Sequence, residues 1–389
     1  MDKNAVEQNM MIRTCPVCHH SSAKKIFWRD FSGMGAIVPF SYYDVMECDH
    51  CGAYYADHLR ESIPLVQYYA QMSKYETKEF ELSKASLEDH DVAVSFLMGH
   101  LVPETSVLDI GCGNGTLLYM LKKSGVHYVT GLEPSEKNCR AIEERWGIRA
   151  VSGVLGGTIA ALTDEKFDIV VMKGVLEHLL DVKESVKHAL EYTAAKGKLY
   201  IIVPTVSAFP HYPDLYQQFS VEHVNFFSLQ TLSSLMGTFG MTCTAHRING
   251  DALYSLWQKN DTAVCDIHFD TEGAHTMHEY LASAEDLRKR IARRLTPLKG
   301  RRIYIWAAGT HTAMLYQLRL LDDVRVEAIV DSNVNYQGNP IYGVPIIAPE
   351  ALKERENLPI VVSSQNAQEA IRRQIVETMQ LSNEVVTLY

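Results

Sequence analysis

Two stretches of this 389-residue chain place a glutamate directly before a histidine: Glu177-His178 in VLEHLL and Glu222-His223 in SVEHVNFF. Histidine is the side chain whose charge changes nearest neutral pH, so either pair suits proton removal, with the acid orienting the ring. Four of the eight cysteines stand in two tight pairs, Cys15 and Cys18 in CPVC and Cys48 and Cys51 in CDHC, with 29 residues between the pairs. Two such thiolate turns close a tetrahedral Zn2+ site and crosslink a segment too small to hold a core of its own. His19, His20 and His50 stand close enough in the chain to replace a thiolate. A closed four-ligand site has no open position for substrate, so its role is structural and catalysis belongs elsewhere.

A third chemical feature is TSVLDIGCGNGTLLYMLKKSG, residues 105–125: an apolar strand, a glycine-rich turn and an amphipathic helix. Gly111, Gly113 and Gly115 let backbone approach a ligand, and the helix that follows presents unpaired N–H groups. Asp109 closes the strand, where a carboxylate would accept from an ammonium group or orient the loop. Glu133 closes the next strand in YVTGLEPS, about 22 residues past Gly111, placed to accept from two ribose hydroxyls. Further strands follow in FDIVVMK and GKLYIIVP, so the run is a series of βα units and an open, mostly parallel sheet.

The elements around these residues set the organisation. Hydrophobic content of 47% and charged content of 22% are those of a folded chain with more than one core. Residues 61–100 have helical periodicity. Strand and helix alternation resumes at 301–318, RRIYIWAAGTHTAMLYQL, and continues through VRVEAIVDSN, GVPIIAPEAL and LPIVVSSQNAQEAI. The turn AAGTHT has one glycine, which speaks against a second dinucleotide site; this domain shapes the substrate cleft or an oligomer interface, making a homo-oligomer possible. No stretch approaches the roughly 20 apolar residues that span a bilayer, and the first residues have no apolar leader, so the expectation is a cytoplasmic protein without a membrane partner. A net charge of -10 gives no broad basic footprint, so nucleic acid is not an expected partner.

The motifs VLDIGCGNG, GLEPS and FDIVVMKGVLEHL, in that order, resemble the successive signatures of class I S-adenosylmethionine-dependent methyltransferases over roughly residues 85–260. The resemblance implies S-adenosylmethionine as cofactor, with Asp109, Gly111 and Gly113 at its methionine end, Glu133 on the ribose, and Ser152 to Val154 near the adenine. It makes Glu177-His178 part of the corner beneath the sulfonium pocket, scaffold and cofactor wall. The loop 204–232 would lie over the carboxyl edge of the sheet, and EHVNFFS is similar to a stretch of enzymes that methylate nucleotide-linked sugars, including the sugar C-methyltransferases. That family joins a four-cysteine zinc module and a C-terminal Rossmann-like domain to the core. Ser220 and Val221 stand where its pattern has Tyr-His, and the turn at 307–312 lacks its lysine.

The expected architecture is α/β: a zinc-binding module over 1–60, a Rossmann-like methyltransferase core with helical lead-in over 61–265, a helical linker over 266–300, and a second Rossmann-like domain over 301–389. The expected reaction is methyl transfer to a small molecule, a nucleotide-activated ketosugar. His223 serves as general base, Glu222 orients it or binds the sugar, and Asn225 or His211 donates to the acceptor oxygen. The basic run 287–302 would hold a pyrophosphate or be a solvated face, and Phe40, Tyr42 and Tyr43 would stack on a base or pack the zinc module. O- or N-methylation of another small molecule, RNA methylation with the zinc module as reader, and a non-catalytic binding protein remain as alternatives.

Overall fold

The computed structural model describes residues 10–34, 38–71, 84–260, 266–338 and 340–389. They form two units between which the chain passes several times: Met1–Phe27, Asp44–Ala208 and Glu222–His275 belong to the first, and Trp28–Tyr43, Phe209–Val221 and Thr276–Tyr389 to the second.

The chain opens with four strands, β1 (Met10–Met11), β2 (Ala23–Asp30), β3 (Phe40–Cys48) and β4 (Tyr54–Glu61), in the order β1-β4-β3-β2. Of the helical stretch expected over 61–100, α1 (Leu65–Gln71) and α2 (Lys84–Met98) are described, and residues 72–83 lie outside the described residues.

The core of the first unit alternates strands and helices: β5 (Ser106–Ile110), α3 (Thr116–Lys123), β6 (Tyr128–Glu133), α4 (Glu136–Trp146), β7 (Arg149–Ser152), β8 (Phe167–Lys173), α5 (Val182–Tyr192) and β9 (Thr193–Pro204). A short β10 (Asn225–Phe226) pairs with β4, then α6 (Leu229–Gly237), β11 (Met241–Asn249) and β12 (Ala252–Lys259) complete it. The seven-stranded sheet has the order β11-β12-β9-β8-β5-β6-β7. Strands β9 to β7 along that order are parallel, and β12 and β11 are antiparallel additions.

The period of two in these strands explains why helices cover both faces. Leu108, Ile110, Val170, Met172, Leu199 and Ile201 pack on one face against Val182, Val186 and Ala189 of α5 and Leu232 and Leu235 of α6. Their neighbours Val107, Ile169, Val171, Tyr200 and Ile202 pack on the other, against Leu97 of α2, Leu117, Leu118 and Leu121 of α3, and Ile142 of α4. Helix ends carry their own stops and starts. Ser135 caps α4 by accepting from Asn138 N–H, and Gly147 ends it at φ 58°; Ser228 and Thr231 form a reciprocal capping box on α6.

After β5 the chain builds two elements on one side of it, β6 and β7, then crosses to place β8 on the other. That reversal opens a crevice outside the carboxyl ends of β5, β6 and β8, where ligands bind in sheets of this kind.

The second unit takes up α7 (Thr271–Leu295) from Thr276 onward, followed by β13 (Arg302–Trp306), α8 (Thr310–Gln317), β14 (Arg325–Val330), β15 (Ile346–Ile347), β16 (Ile360–Val362), α9 (Gln368–Arg373) and β17 (Val385–Thr387). Its sheet is wholly parallel, in the order β15-β14-β13-β16-β17. Arg29 is buried in this unit and donates to the carbonyls of Tyr216 and Phe219, while the Tyr280 hydroxyl donates to Asp214 Oδ1 at 2.7 Å. Among the described residues no helix is long and apolar enough to cross a membrane.

Candidate active site

The crevice of the first unit holds a cavity of about 450 Å³, within the range of small-molecule sites. One wall is the turn after β5. Gly111 (φ 70°) and Gly113 (φ 55°) adopt left-handed backbone, and a Cβ on Gly111 would come within 2.9 Å of Val175 Cγ2, so both conformation and space demand glycine there. The amides of Gly111 and Cys112 both donate to Leu132 O, which ties the turn to β6.

Glu133 is 7% exposed and each of its oxygens is held: Oε2 accepts from Gly113 N at 3.0 Å and Oε1 from Ser135 N at 3.2 Å. Burial raises its carboxyl above the usual range while these amides pull it back. Gly111, Gly113, Glu133 and Val154 line the cavity. Asp109 and Ser152 are not among its lining residues; Asp109 is 3% exposed and Ser152 is exposed at the end of β7. Burial pushes the Asp109 carboxyl up to about 7, against the opposing charge of Lys173. Lys173, at the end of β8, lines the cavity and pairs with Asp89 at 2.7 Å.

The facing wall brings both Glu-His doublets together. A 3-10 turn, Leu176–His178, follows β8, and Val224 N donates to Glu177 O at 2.8 Å, stitching the two segments. The rings of His178 and His223 meet edge to face at 4.8 Å between centroids. His178 Nδ1 is 3.2 Å from Glu222 O and 3.0 Å from the Tyr69 hydroxyl. Tyr68 donates to Glu222 Oε1 at 2.6 Å. Burial raises both phenols, keeping them neutral hydroxyls. Glu177 is 3% exposed, its Oε2 has no hydrogen-bond partner among the described residues, and burial raises its carboxyl.

Glu177-His178 was expected as scaffold and cofactor wall, and His178 does line the cavity; what the sequence did not suggest is that its ring also meets His223 of the acceptor loop. Sequence reasoning also overlooked Tyr68 and Tyr69, whose one available signal was two adjacent phenols in a helix otherwise read for its apolar face.

Asn225 does not serve as a donor to substrate. Its amide donates to the carbonyls of Leu176 and Leu179 and its oxygen accepts from Arg13, so all its groups are engaged in holding the loop. His211 is exposed and belongs to the second unit. In that unit Phe40 and Tyr43 are buried, with the Tyr43 hydroxyl on Ser220 O, and Tyr42 stacks on Trp28. In the basic run, Arg288, Lys289, Lys299, Arg301 and Arg302 each pair with a carboxylate, the signature of a solvated face.

The four N-terminal cysteines also converge. Cys15 Sγ lies 3.5 Å from Cys51 Sγ and Cys18 Sγ 3.5 Å from Cys48 Sγ, and all four sulfurs fall within 4.8 Å of one another. Two sulfurs bound to one Zn2+ at about 2.3 Å sit about 3.8 Å apart on a tetrahedral edge, so the donor set fits. Hydrogen bonds from Cys15 and Cys51 draw the Cys48 thiol down. His20 and His50 stack on one another at 5.3 Å outside this group.

Residues 84–246 match the family described as Methyltransferase domain, and residues 299–386 the family described as C2185-like, N-terminal. Among curated proteins the chain is similar to Probable (S)-tetrahydroprotoberberine N-methyltransferase 2 of Papaver bracteatum, 31% identical over 111 residues that make up 28% of this chain and 31% of that protein. It is similar too to Ubiquinone biosynthesis O-methyltransferase of Methylobacterium nodulans, 38% identical over 90 residues, 22% of this chain and 34% of that one. The chain thus spans about a third of the length of these curated relatives. A solved structure of 1,6-didemethyltoxoflavin-N1-methyltransferase from Burkholderia thailandensis, with bound 1,6-didemethyltoxoflavin and S-adenosylhomocysteine, is 18% identical with a TM-score of 0.38 over 50% of this chain and 85% of that one.

Proposed function

We propose that the protein transfers a methyl group from S-adenosylmethionine to a small-molecule acceptor, a nucleotide-activated ketosugar, with His223 as general base. The observation that carries this is the pairing, across one cavity, of a glycine turn and Glu133 with Glu222-His223. The cofactor's methyl is already activated by a cationic sulfur, so the site has to align acceptor and donor and, for attack by carbon beside a keto group, remove a proton. Gly111 and Gly113 bring backbone to the methionine end and Asp109 sets the charge behind it. Glu133 accepts from the ribose hydroxyls, and Val154, with Ser152 at the strand end, borders the adenine. His223 takes the acceptor proton, and Glu222, held by Tyr68, orients the sugar or the ring.

Incubation with labelled S-adenosylmethionine and a panel of nucleotide ketosugars and their reduced forms, with the product mapped by NMR, tests the assignment. Methyl transfer to carbon of a ketosugar is the expected outcome; transfer to another atom or acceptor replaces the substrate class. His223→Ala should retain calorimetric cofactor binding and lose turnover, and normal turnover in that variant removes the base assignment.

Cys15, Cys18, Cys48 and Cys51 would hold one Zn2+, which would lock the two thiolate turns together. Elemental analysis should give one equivalent per chain, lost with folding in Cys15→Ser/Cys18→Ser; a stable, metal-free preparation is the contrary result.

A further inference from the structure

We infer that Glu177, His178 and His223 form a second metal site, for a single divalent transition cation of the Zn2+ class, and that filling it silences the base. The consequence for activity rests on the proposed function; the binding does not.

One donor atom from each of the three side chains lies within 4.8 Å of the others. Glu177 Oε1 and His178 Nε2 are 3.9 Å apart, and two ligands about 2.1 Å from a tetrahedral ion sit about 3.4 Å apart, so a side-chain adjustment of about half an ångström closes that edge.

His178 has a tautomer suited to coordination. Its Nδ1 faces the carbonyl of Glu222, an atom that can only accept, and the form protonated on Nδ1 satisfies it. The Tyr69 hydroxyl on the same nitrogen can accept as well as donate. The Nε2 lone pair is thereby directed toward Glu177. A metal-binding histidine typically has its other ring nitrogen held by a carbonyl in this way.

Glu177 supplies the independent sign. Its carboxylate is buried, yet Oε2 has no hydrogen-bond partner among the described residues, and an unpaired acceptor in such a place is costly unless something neutralises it. A cation between the carboxylate and the two imidazoles does so.

Two nitrogens and one oxygen favour Zn2+, Co2+ or Ni2+ over Mg2+ or Ca2+. Three protein ligands leave a position open toward the cavity, unlike the closed four-cysteine site. A His223 lone pair given to a metal cannot take a proton, so occupancy and base catalysis exclude each other.

The test is a Zn2+ or Co2+ titration of the full chain as purified, by calorimetry and elemental analysis, with no acceptor present. A second equivalent should bind with a dissociation constant in the micromolar range. The cobalt form should lack the thiolate charge-transfer band of the cysteine site, and Mg2+ should not compete. Glu177→Gln, which preserves shape, and His178→Ala should each weaken this equivalent at least tenfold and keep the first. A stoichiometry that stays at one under excess metal, or a second equivalent that persists in both variants, overturns the site. With an acceptor in hand, inhibition should follow the second equivalent and reverse with a mild chelator; full turnover with the site filled overturns the silencing. A protein that methylates nothing in the panel leaves the binding arms decisive on their own.

Discussion

The turn after β5 and the turn after β13 share a layout. In each, the first strand of a parallel run enters a small-residue turn and a helix, and a carboxylate from the neighbouring strand accepts from the turn's backbone: Glu133 from Gly113 N, and Asp331 from Ala308 N at 2.7 Å. They differ in how the backbone of the turn is engaged. After β5 three glycines with positive φ leave the backbone bare, and the turn lines a cavity. After β13 the turn's polar groups are tied to one another and to the neighbouring strand. Thr312 Oγ1 donates to Ala307 O, Ser363 Oγ bonds Thr312 and Trp306 O, and Ala308 is buried. The shared layout is therefore a folding solution, and among the two turns the one built of positive-φ glycines lines the described cavity.

Substitution of the two carboxylates is the strongest way to break this comparison. Glu133→Ala should weaken S-adenosylmethionine binding by about 100-fold, the equivalent of roughly 3 kcal/mol from two hydrogen bonds to a charged group, whereas Asp331→Ala should leave affinity unchanged in the same calorimetric titration. Equal losses would mean that both turns bind.

Asp331→Ala should instead cost about 1–3 kcal/mol of stability, the penalty for stranding the Ala308 amide, read as a lower urea midpoint for the second unit.

pH sharpens the contrast on the β5 side. The Asp109 carboxyl has its value raised to about 7 by burial, so the native protein binds more protons than the unfolded chain between the ordinary carboxyl range and pH 7. Its contribution to stability of the cofactor-free protein therefore falls as pH rises through that window. A cationic cofactor favours the anion, so affinity should rise by about tenfold from pH 6 to 8, and Asp109→Asn should flatten the profile.

The smallest effect concerns backbone. Ala307 sits at φ 96°, where an L side chain is strained, and Ala307→Gly should stabilise the second unit by about 1 kcal/mol once the entropic cost of glycine is subtracted, seen as a higher melting temperature.

The features legible in the sequence were those encoded locally. Apolar runs announced β5 and β8, and closely spaced glycines announced the turn between β5 and α3. The tight cysteine pairs announced their cluster. The rest depends on elements brought together by topology. Tyr68 meets Glu222 across 154 residues, and His178 meets the Glu222 carbonyl across 44, separations at which spacing has no periodic signature. Asn225 misled for a related reason: an amide in a polar loop looks available until Leu176, Leu179 and Arg13 are seen to saturate it.

Arg13 deserves a last consequence. Its guanidinium donates to the carbonyls of Ala56, Leu180 and Val224 and to Asn225 Oδ1. A fragment begun at residue 84, where the methyltransferase domain match starts, would have every strand of the seven-stranded sheet. It would lack Arg13, Tyr68 and Tyr69, and with them the clamp on the loop that presents His223. The sheet is built from near-neighbour βα contacts, whereas the wall that carries His178 and His223 is held by residues far earlier in the chain. Trimming at residue 84 would thus leave the sheet's strands and remove what holds that wall.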